Sequence, residues 1–379
     1  MTPVQVVVRK IRHTLRFVRE SRWRDWWTNR RLPNISASIV GSGECTYETG
    51  RKLRVFVAVH HVNWEQQALV ESWKKIAHVH HFEWGKEFDQ YDNSWFMQGR
   101  PVFQERLFSE VEEAHHEEPI NLFFSYLSAR WVERQTIERI GALGIPTANF
   151  SFDDARLFWG PKIRGYWTGV APIASAFNLN VTVARPIDTF KYTSRGARAI
   201  FLPPAGNADT FAIKNDVPVN RTRLTFVGQR YGHREEFIKM LQGAGLPIEV
   251  FGLGWSAGSV SHEEKMHIYK ESLVTIGFGF LGESFSVSMK GRDFEVPMTG
   301  ACYITTFEPT LAKMFVPDRE MVFYSTKNEL KERIEYLLDN PEIALSIGAA
   351  GRKKALEEHQ WHMRWSRLLK EMNIAPSGQ

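Results

Sequence analysis

Short apolar runs alternate with helical spacings along most of the chain. "LRVFVAVHH", from Leu53 to His61, is a short apolar run rich in valine, unbroken from Val55 to Val59, as in a strand buried on both faces. "EQQALVESWKKIA" then has helical spacing, and "HVHHFEW" returns to a strand. The alternation continues through "QERLFSEVEEAHHEE", "INLFFSYLS", "ERQTIERIGALG" and "IPTANFSFDD", and "NLNVTVARP" and "ARAIFLPPAGN" add strands that end in polar residues, Gly or Pro. This pattern predicts a mostly parallel sheet with helices on both faces.

From Asp216 to Arg223 the chain turns polar, and the alternation then starts afresh. "RLTFVGQRYGHREEFIKMLQGAGLPIEVFGLGW" holds strand, glycine turn, helix, glycine stop and strand, the length and order of a βαβ unit. "EEKMHIYKESLVTIGFGF", "TKNELKERIEYLLDN" and "PEIALSIGAAGRKKALEEH" extend it. The last segment, "WHMRWSRLLKEM", repeats apolar positions at Trp361, Trp365 and Leu368 or Leu369, which suits a final helix laid across both domains. The expected organisation is a basic N-terminal extension (1–50), a Rossmann-like α/β domain (51–215), a second such domain (216–356) and a C-terminal helix and tail (357–379). The two domains should face each other across a cleft.

Composition narrows the class. A chain of 379 residues with 43% hydrophobic content can bury two cores. Cys45 and Cys302 match no metal-ligand or redox spacing, which fits a reducing compartment. No apolar run reaches the roughly 20 residues of a membrane-spanning helix, so a cytoplasmic protein is expected. The net charge of +5 is concentrated in residues 1–31, which carry nine Lys or Arg against Glu20 and Asp25. In that segment Val8, Ile11, Leu15, Val18 and Trp23 follow a helical repeat. Three readings stay open for it: packing on the chain or a partner, peripheral contact with an anionic membrane, or a disordered arm. Without a reading module, nucleic acid is not an expected partner.

Open parallel sheets hold ligands beyond the carboxyl ends of their strands, so candidate chemistry is sought there. In "TFVGQRYGHREEF", Gly228 allows a tight turn, and the following helix start offers free N–H groups to an anion. Arg230 and Arg234 could contact a diphosphate, with Tyr231 as a stacking surface. In "MKGRDFEVPMTG", Lys290 and Arg292 are donors suited to phosphates, Glu295 is an acceptor suited to a ribose diol, and Gly300 permits close backbone approach. An internal Arg292–Glu295 pair fastening a helix explains the same spacing.

The span "SFSVSMKGRDFEVPMTGACYITTFEPTLAKMFVPDREMVFYSTKNELKERIEYLLDNPE", with "AGRKKALEEHQW" after it, resembles the C-terminal domain of the spore-maturation-like (CgeB-like) group of glycosyltransferases, within the two-domain GT-B class. "FVGQRYGHREEFI", "VFGLGW" and "FLPPAGNADTF" are similar to further landmarks of that group. The resemblance implies transfer of a sugar from a nucleoside-diphosphate sugar to a hydroxyl of a glycan, lipid-linked or protein acceptor, with UDP-sugars favoured. It places the donor on the second domain, with Glu295 on the ribose, Arg230 and Arg292 on the phosphate side and Gly228 at the cleft mouth. No tightly bound cofactor is implied. "FDDARLF" is not a DxD signature, so no metal is implied either.

Catalytic candidates are less defined. His60 and His61 follow the first strand, and imidazole titrates near neutrality. Asp154, and behind it Asp153, could orient an acceptor, although a helix-capping role competes. Trp64, Trp84, Trp95 and Trp131 are candidates for an acceptor platform or for packing. Neither retention nor inversion follows from these residues. Two other functions share the binding physics: a nucleotide-sugar epimerase, and a non-catalytic glycan-binding or surface-assembly protein.

Overall fold

The computed structural model describes residues 45–47, 52–62, 64–183, 185–212 and 220–376. The basic segment 1–31 and the expectations attached to it lie outside these residues. Two parallel sheets dominate. The first has six strands, β1 (Arg54–Ala58), β2 (His78–Phe82), β3 (Leu122–Ser125), β4 (Thr147–Ser151), β5 (Leu179–Thr182) and β6 (Ala199–Phe201), in the spatial order β2-β1-β3-β4-β5-β6. The second has five, β7 (Arg223–Val227), β8 (Ile248–Phe251), β9 (Ser272–Ile276), β10 (Cys302–Thr306) and β11 (Val322–Tyr324), in the order β8-β7-β9-β10-β11. All of these strands pair in parallel.

The two sheets share one winding rule. The chain makes its first crossover to one side of the opening strand and then continues on the other side. Loops therefore diverge at the carboxyl ends of β1 and β3, and again at β7 and β9, leaving a crevice at each switch point.

Unbroken apolar strands follow from coverage on both faces. Val55, Val57 and Val59 join Trp73, Phe124 and Trp365 in one core, while Phe56 and Ala58 join Phe103, Phe123 and Trp84 in the other. The second lobe repeats the arrangement, with Leu224 and Phe226 on one side of β7 and Val227 on the other. The main covering helices are α1 (Arg100–Glu117) and α2 (Arg134–Ala142) in the first lobe, with the single turn α3 (Asp154–Leu157) after β4. The second lobe has α4 (Arg234–Gly243), α5 (His262–Glu271), α6 (Arg292–Thr299), α7 (Lys327–Asp339) and α8 (Pro341–Glu358).

The final helix, α9 (Trp361–Glu371), returns to the first lobe. Trp365 stacks on Trp73 at 5.0 Å and donates its indole N–H to Ser72 Oγ at 2.6 Å. The chain thus crosses between lobes twice, and the crossings touch. Gly206 N donates to the His359 carbonyl (3.0 Å) and Trp361 N to the Gly206 carbonyl (3.1 Å). A side chain at Gly206 would meet Met298 Sδ at 2.5 Å, so glycine lets the outward crossing lie directly on α6. Asn207 adds a tie to the first lobe, donating to the Gln67 carbonyl (2.8 Å) and accepting from Lys75 Nζ (3.0 Å).

Helix α6 is held at its far end by α8. Gly300, left-handed at φ 82°, closes α6, and a Cβ at Gly348 of α8 would run into the Gly300 carbonyl oxygen. Gly348→Ala should cost about 1–3 kcal/mol through backbone displacement at this contact. Urea unfolding checks this; a midpoint equal to wild type would show that the contact tolerates a methyl group.

Candidate functional site

At the carboxyl end of β7, the absent side chain of Gly228 leaves room for a guanidinium. A Cβ there would lie 2.8 Å from Arg292 Nη2, 2.9 Å from Nη1 and 3.1 Å from Phe226 Cζ. Arg292 is the first residue of α6, and its guanidinium sits 5.4 Å from the Phe226 ring centroid. Its Nη1 is buried and has no hydrogen-bond partner among the described residues. A buried, unpaired charged donor is costly, and an anion at this point would satisfy it.

Two further cations stand beside Arg292. The Arg234 guanidinium lies 3.8 Å from the Tyr231 ring centroid and donates to the Gln229 carbonyl (2.8 Å) and to Tyr231 Oη (2.7 Å). Burial, and then the charge of Arg292, pull its pKa down to about 9. Lys290 donates to Ser288 Oγ at 2.9 Å. Burial, followed by the charge of Arg234, brings Lys290 down to about 8. Arg234 and Lys290 are thus both lowered by burial and by a neighbouring cation, whereas Arg292, though buried, is held up by the surrounding tyrosines and Asp293.

Asp293 is the nearest carboxylate in sequence, and it is already engaged. It accepts from the Tyr303 hydroxyl (2.7 Å) and from the Lys290 backbone N–H (2.7 Å). Burial raises its pKa to about 6 despite those bonds. Its role is to fix the turn that carries Lys290 and Arg292. The loop after β9 meets the loop after β7 at Gly232, where a side chain would collide with the Gly282 carbonyl oxygen. His233 then stacks on Phe285 at 3.7 Å. The same loop walls a cavity of about 280 Å³ lined mainly by Phe237, Phe280, Phe285, Val287 and Phe307.

Glu295 lies one helical turn beyond Arg292 and is 8% exposed. Its ion-pair partner is Lys265 of α5 at 3.5 Å, so the expected alternative of an Arg292–Glu295 pair gives way to a contact between helices. Arg230 turns outward into a two-point contact with Glu235, at 3.0 and 2.6 Å, and stands apart from the three cations. Gly300 requires a correction. It ends α6 and precedes β10, so it lies at the amino ends of the strands, opposite Gly228, and its neighbours are Arg221 and Arg352.

On the first lobe, His60 and His61 diverge as neighbours at a strand end must. His60 Nδ1 meets Glu83 Oε1 at 2.7 Å, and its ring lies against Trp84 and Trp131. Burial opposes ionisation of Glu83, but hydrogen bonds from His60 and the N–H groups of His61 and Gly85 hold its pKa low. His61 Nδ1 accepts from the Gln66 backbone N–H at 3.2 Å. That bond leaves only Nε2 for a proton in the neutral ring, making His61 a donor toward a ligand rather than a base. Trp84, Trp95 and Trp131 pack in the core, while Trp64 packs against Phe152 and Trp361.

Asp154 is also corrected. It is buried at 1% exposure, accepts the Tyr192 hydroxyl at 2.6 Å, and is pushed up to about 6 by burial. It belongs to a structural cluster with Asp188, Arg185 and Lys191. Its neighbour Asp153 is exposed, accepts from the Tyr126 hydroxyl at 3.3 Å, and is near enough to act on the charge of Lys290 in the other lobe. Asp153 does not cap α3 through its side chain. The sequence gives no cue to the contact of Lys265 with Glu295, because a polar helix start after a glycine loop does not show what it faces.

Residues 230–370 match the family model described as glycosyl transferase-like. No curated protein sequence matches. Among solved structures, the chain is similar to sucrose-phosphate synthase from Thermosynechococcus elongatus, at 12% identity, with 85% of this chain and 99% of that chain covered and a TM-score of 0.57. A glycosyltransferase from Rickettsia africae gives 10% identity, 85% and 98% coverage, and a TM-score of 0.56. Anabaena HepE, solved with UDP and glucose, gives 8%, 84% and 98%, and 0.54. These structural likenesses establish the fold: two Rossmann-like domains in the GT-B arrangement.

The raised pKa of Asp154 has a definite sign. The folded state holds its proton more tightly than the unfolded chain, so this group's effect on stability is most favourable below about pH 4 and worsens as pH rises through about 6. Asp154→Asn should therefore gain on wild type in melting temperature between pH 4 and pH 6, with a constant difference above. Parallel melting curves across that range would show an ordinary carboxyl at this position.

Proposed function

We propose that this chain, a glycosyltransferase of the GT-B fold, moves a glycosyl group from a nucleoside-diphosphate sugar on its second lobe to an acceptor hydroxyl presented by its first. The observation that carries this reading is the Arg292 guanidinium set against Gly228, with a buried donor unpaired at a strand-end switch point. Lys290 and the N-terminus of α6 bring further positive charge to the same point. Glu295, one turn along α6, takes the ribose hydroxyls. The UDP held by Anabaena HepE supports the UDP series as donor.

In the reaction, the acceptor oxygen bonds to the anomeric carbon as the bond from that carbon to the diphosphate oxygen breaks. The electron pair leaves with the diphosphate, where Arg292 and Lys290 neutralise it as it develops, and the acceptor hydroxyl gives up its proton to the carboxylate beside it, Asp153 in this reading. This reading requires no metal, because side chains already present supply the charge. Asp153, held by Tyr126, is the first-lobe carboxylate best placed to orient the acceptor hydroxyl. Among the described residues no helix is long and apolar enough to cross a membrane. Placement in the spore-maturation-like group, a cytoplasmic setting and peripheral membrane contact through residues 1–31 complete the proposal. The glycosyl transferase-like match over residues 230–370 favours transfer over epimerisation.

Titration calorimetry with UDP tests the site. Arg292→Ala should weaken UDP binding about tenfold to a hundredfold, the loss expected for a charge-assisted hydrogen bond. Affinity in wild type should also decline above about pH 8, as Lys290 gives up its proton, and Lys290→Arg should extend binding to higher pH. Unchanged UDP affinity in folded Arg292→Ala would sink the assignment.

A further inference from the structure

Among the described residues only two tryptophans are exposed, Trp159 at 37% and Trp167 at 43%, and they touch, with ring centroids 5.5 Å apart at 57°. Both stand on the segment that follows α3. There Lys162–Ile163 pairs antiparallel with Tyr166–Trp167, and Arg164 (φ 49°) and Gly165 (φ 91°) take the left-handed backbone that a two-residue hairpin turn needs. The hairpin is held firmly at its base. Gly169 N donates to the Trp159 carbonyl and Ala171 N to the Phe158 carbonyl, each at 2.8 Å, and a side chain at Gly169 would run into the carbonyl oxygens of Leu157 and Phe158. Tyr166 stacks on Phe96 at 5.3 Å and 5°, with the Arg100 guanidinium 4.6 Å from its ring centroid. The fold thus fixes two large apolar rings in water, an exposure that marks a contact surface.

The surroundings are cationic. From Ala155 to Ile187 the chain carries Arg156, Lys162, Arg164 and Arg185 and no Asp or Glu. Arg185 is paired with the buried Asp188, but Arg195 joins the exposed set. Its guanidinium lies 4.4 Å from the Trp159 ring centroid, and Lys162 Nζ lies 5.7 Å from that of Trp167. These contacts choose the partner. A sugar ring or a nucleobase stacks on an open, flat ring face, whereas here a cation covers a face of each indole and the two rings meet at an angle. Indole edges beside ammonium and guanidinium groups suit the headgroup level of a bilayer, where the rings sit at the boundary with hydrocarbon and the cations meet lipid phosphates.

We infer that this hairpin docks the first lobe on an anionic membrane surface, with Trp159 and Trp167 entering the headgroup layer and Lys162, Arg164 and Arg195 meeting the lipid phosphates. The surface is separate from residues 1–31, and it stands whether or not the second lobe binds a nucleoside diphosphate. Its position beside the cleft gives it a use. Arg156, shortly before Trp159 in the chain, lies against Gly282 of the second lobe, with its guanidinium carbon 3.0 Å from where a Cβ of that glycine would stand. The docked face therefore adjoins the place where the two lobes approach each other.

Sedimentation of the full chain with vesicles tests this, with equal parts of phosphatidylglycerol and phosphatidylcholine compared against phosphatidylcholine alone. Wild type should bind the anionic vesicles and leave the neutral ones in suspension. Lys162→Gln combined with Arg164→Asn, which suits the left-handed turn, should weaken that binding about thirtyfold, the effect of two cations lost from an anionic surface. Trp159→Leu combined with Trp167→Leu, which keeps apolar packing but removes the indoles, should weaken it about tenfold. A melting temperature equal to wild type certifies that each double variant is folded. Anionic-vesicle binding unchanged in both variants would place any membrane contact elsewhere on the chain and overturn the proposal. So would a loss confined to the charge variant, or a wild type that sediments with neither vesicle or equally with both. If wild type ignores vesicles but binds an oligosaccharide that the tryptophan variant loses, the surface is a glycan platform and the membrane assignment is wrong.

Discussion

Burying a guanidinium without a matching carboxylate is expensive, and the second lobe is arranged around the place where it does so. Arg292 reaches Gly228 only because β7 ends in a residue with no side chain and because α6 begins directly at the crevice. Asp293, one residue on, bonds its own loop and Tyr303 instead of neutralising Arg292. The nearby Arg234 and Lys290 add to the imbalance. Such a centre is poorly satisfied until an anion arrives, the condition that the proposed diphosphate site needs.

The geometry of α6 converts that point into a ruler. Its first residue faces the strand end, its fourth meets α5, and the glycine that closes it is pressed by α8. A displacement at Gly300 would therefore move Arg292 and Glu295 together. The lobes also meet at this helix, since the outward crossing at Gly206 rests on Met298. Packing far from the crevice thereby sets the position of the groups that line it.

Most of the architecture was legible because strands buried on both faces declare themselves as apolar runs, as in "LRVFVAVHH" and "RLTFVG", and glycines mark the turns between them. The charged stretch from Lys290 to Glu295 was also readable as a strand-end feature. Individual side chains were less so. Arg230 and Arg234 look equivalent in sequence, yet one turns outward to Glu235 and the other is buried against Tyr231, a difference decided by helical phase at the start of α4. Gly300 resembles a ligand turn but serves as a helix cap. Asp153 and Asp154 exchange their expected roles because α3 begins between them, turning one toward solvent and the other into the core.

The seating of α9 on the first lobe has a consequence for synthesis. Trp361, Trp365 and Leu368 fill the same core as Val55 and Trp73, although nearly three hundred residues separate them in the chain, as the Trp365–Ser72 bond illustrates (|i−j| = 293). The first lobe emerges from the ribosome long before the helix that completes its core, whereas the second lobe has its own strands and covering helices close together in sequence. Domains ordinarily fold in the order they are made. Here the second lobe can close first, and the older half must wait, partly uncovered, until α9 has been made.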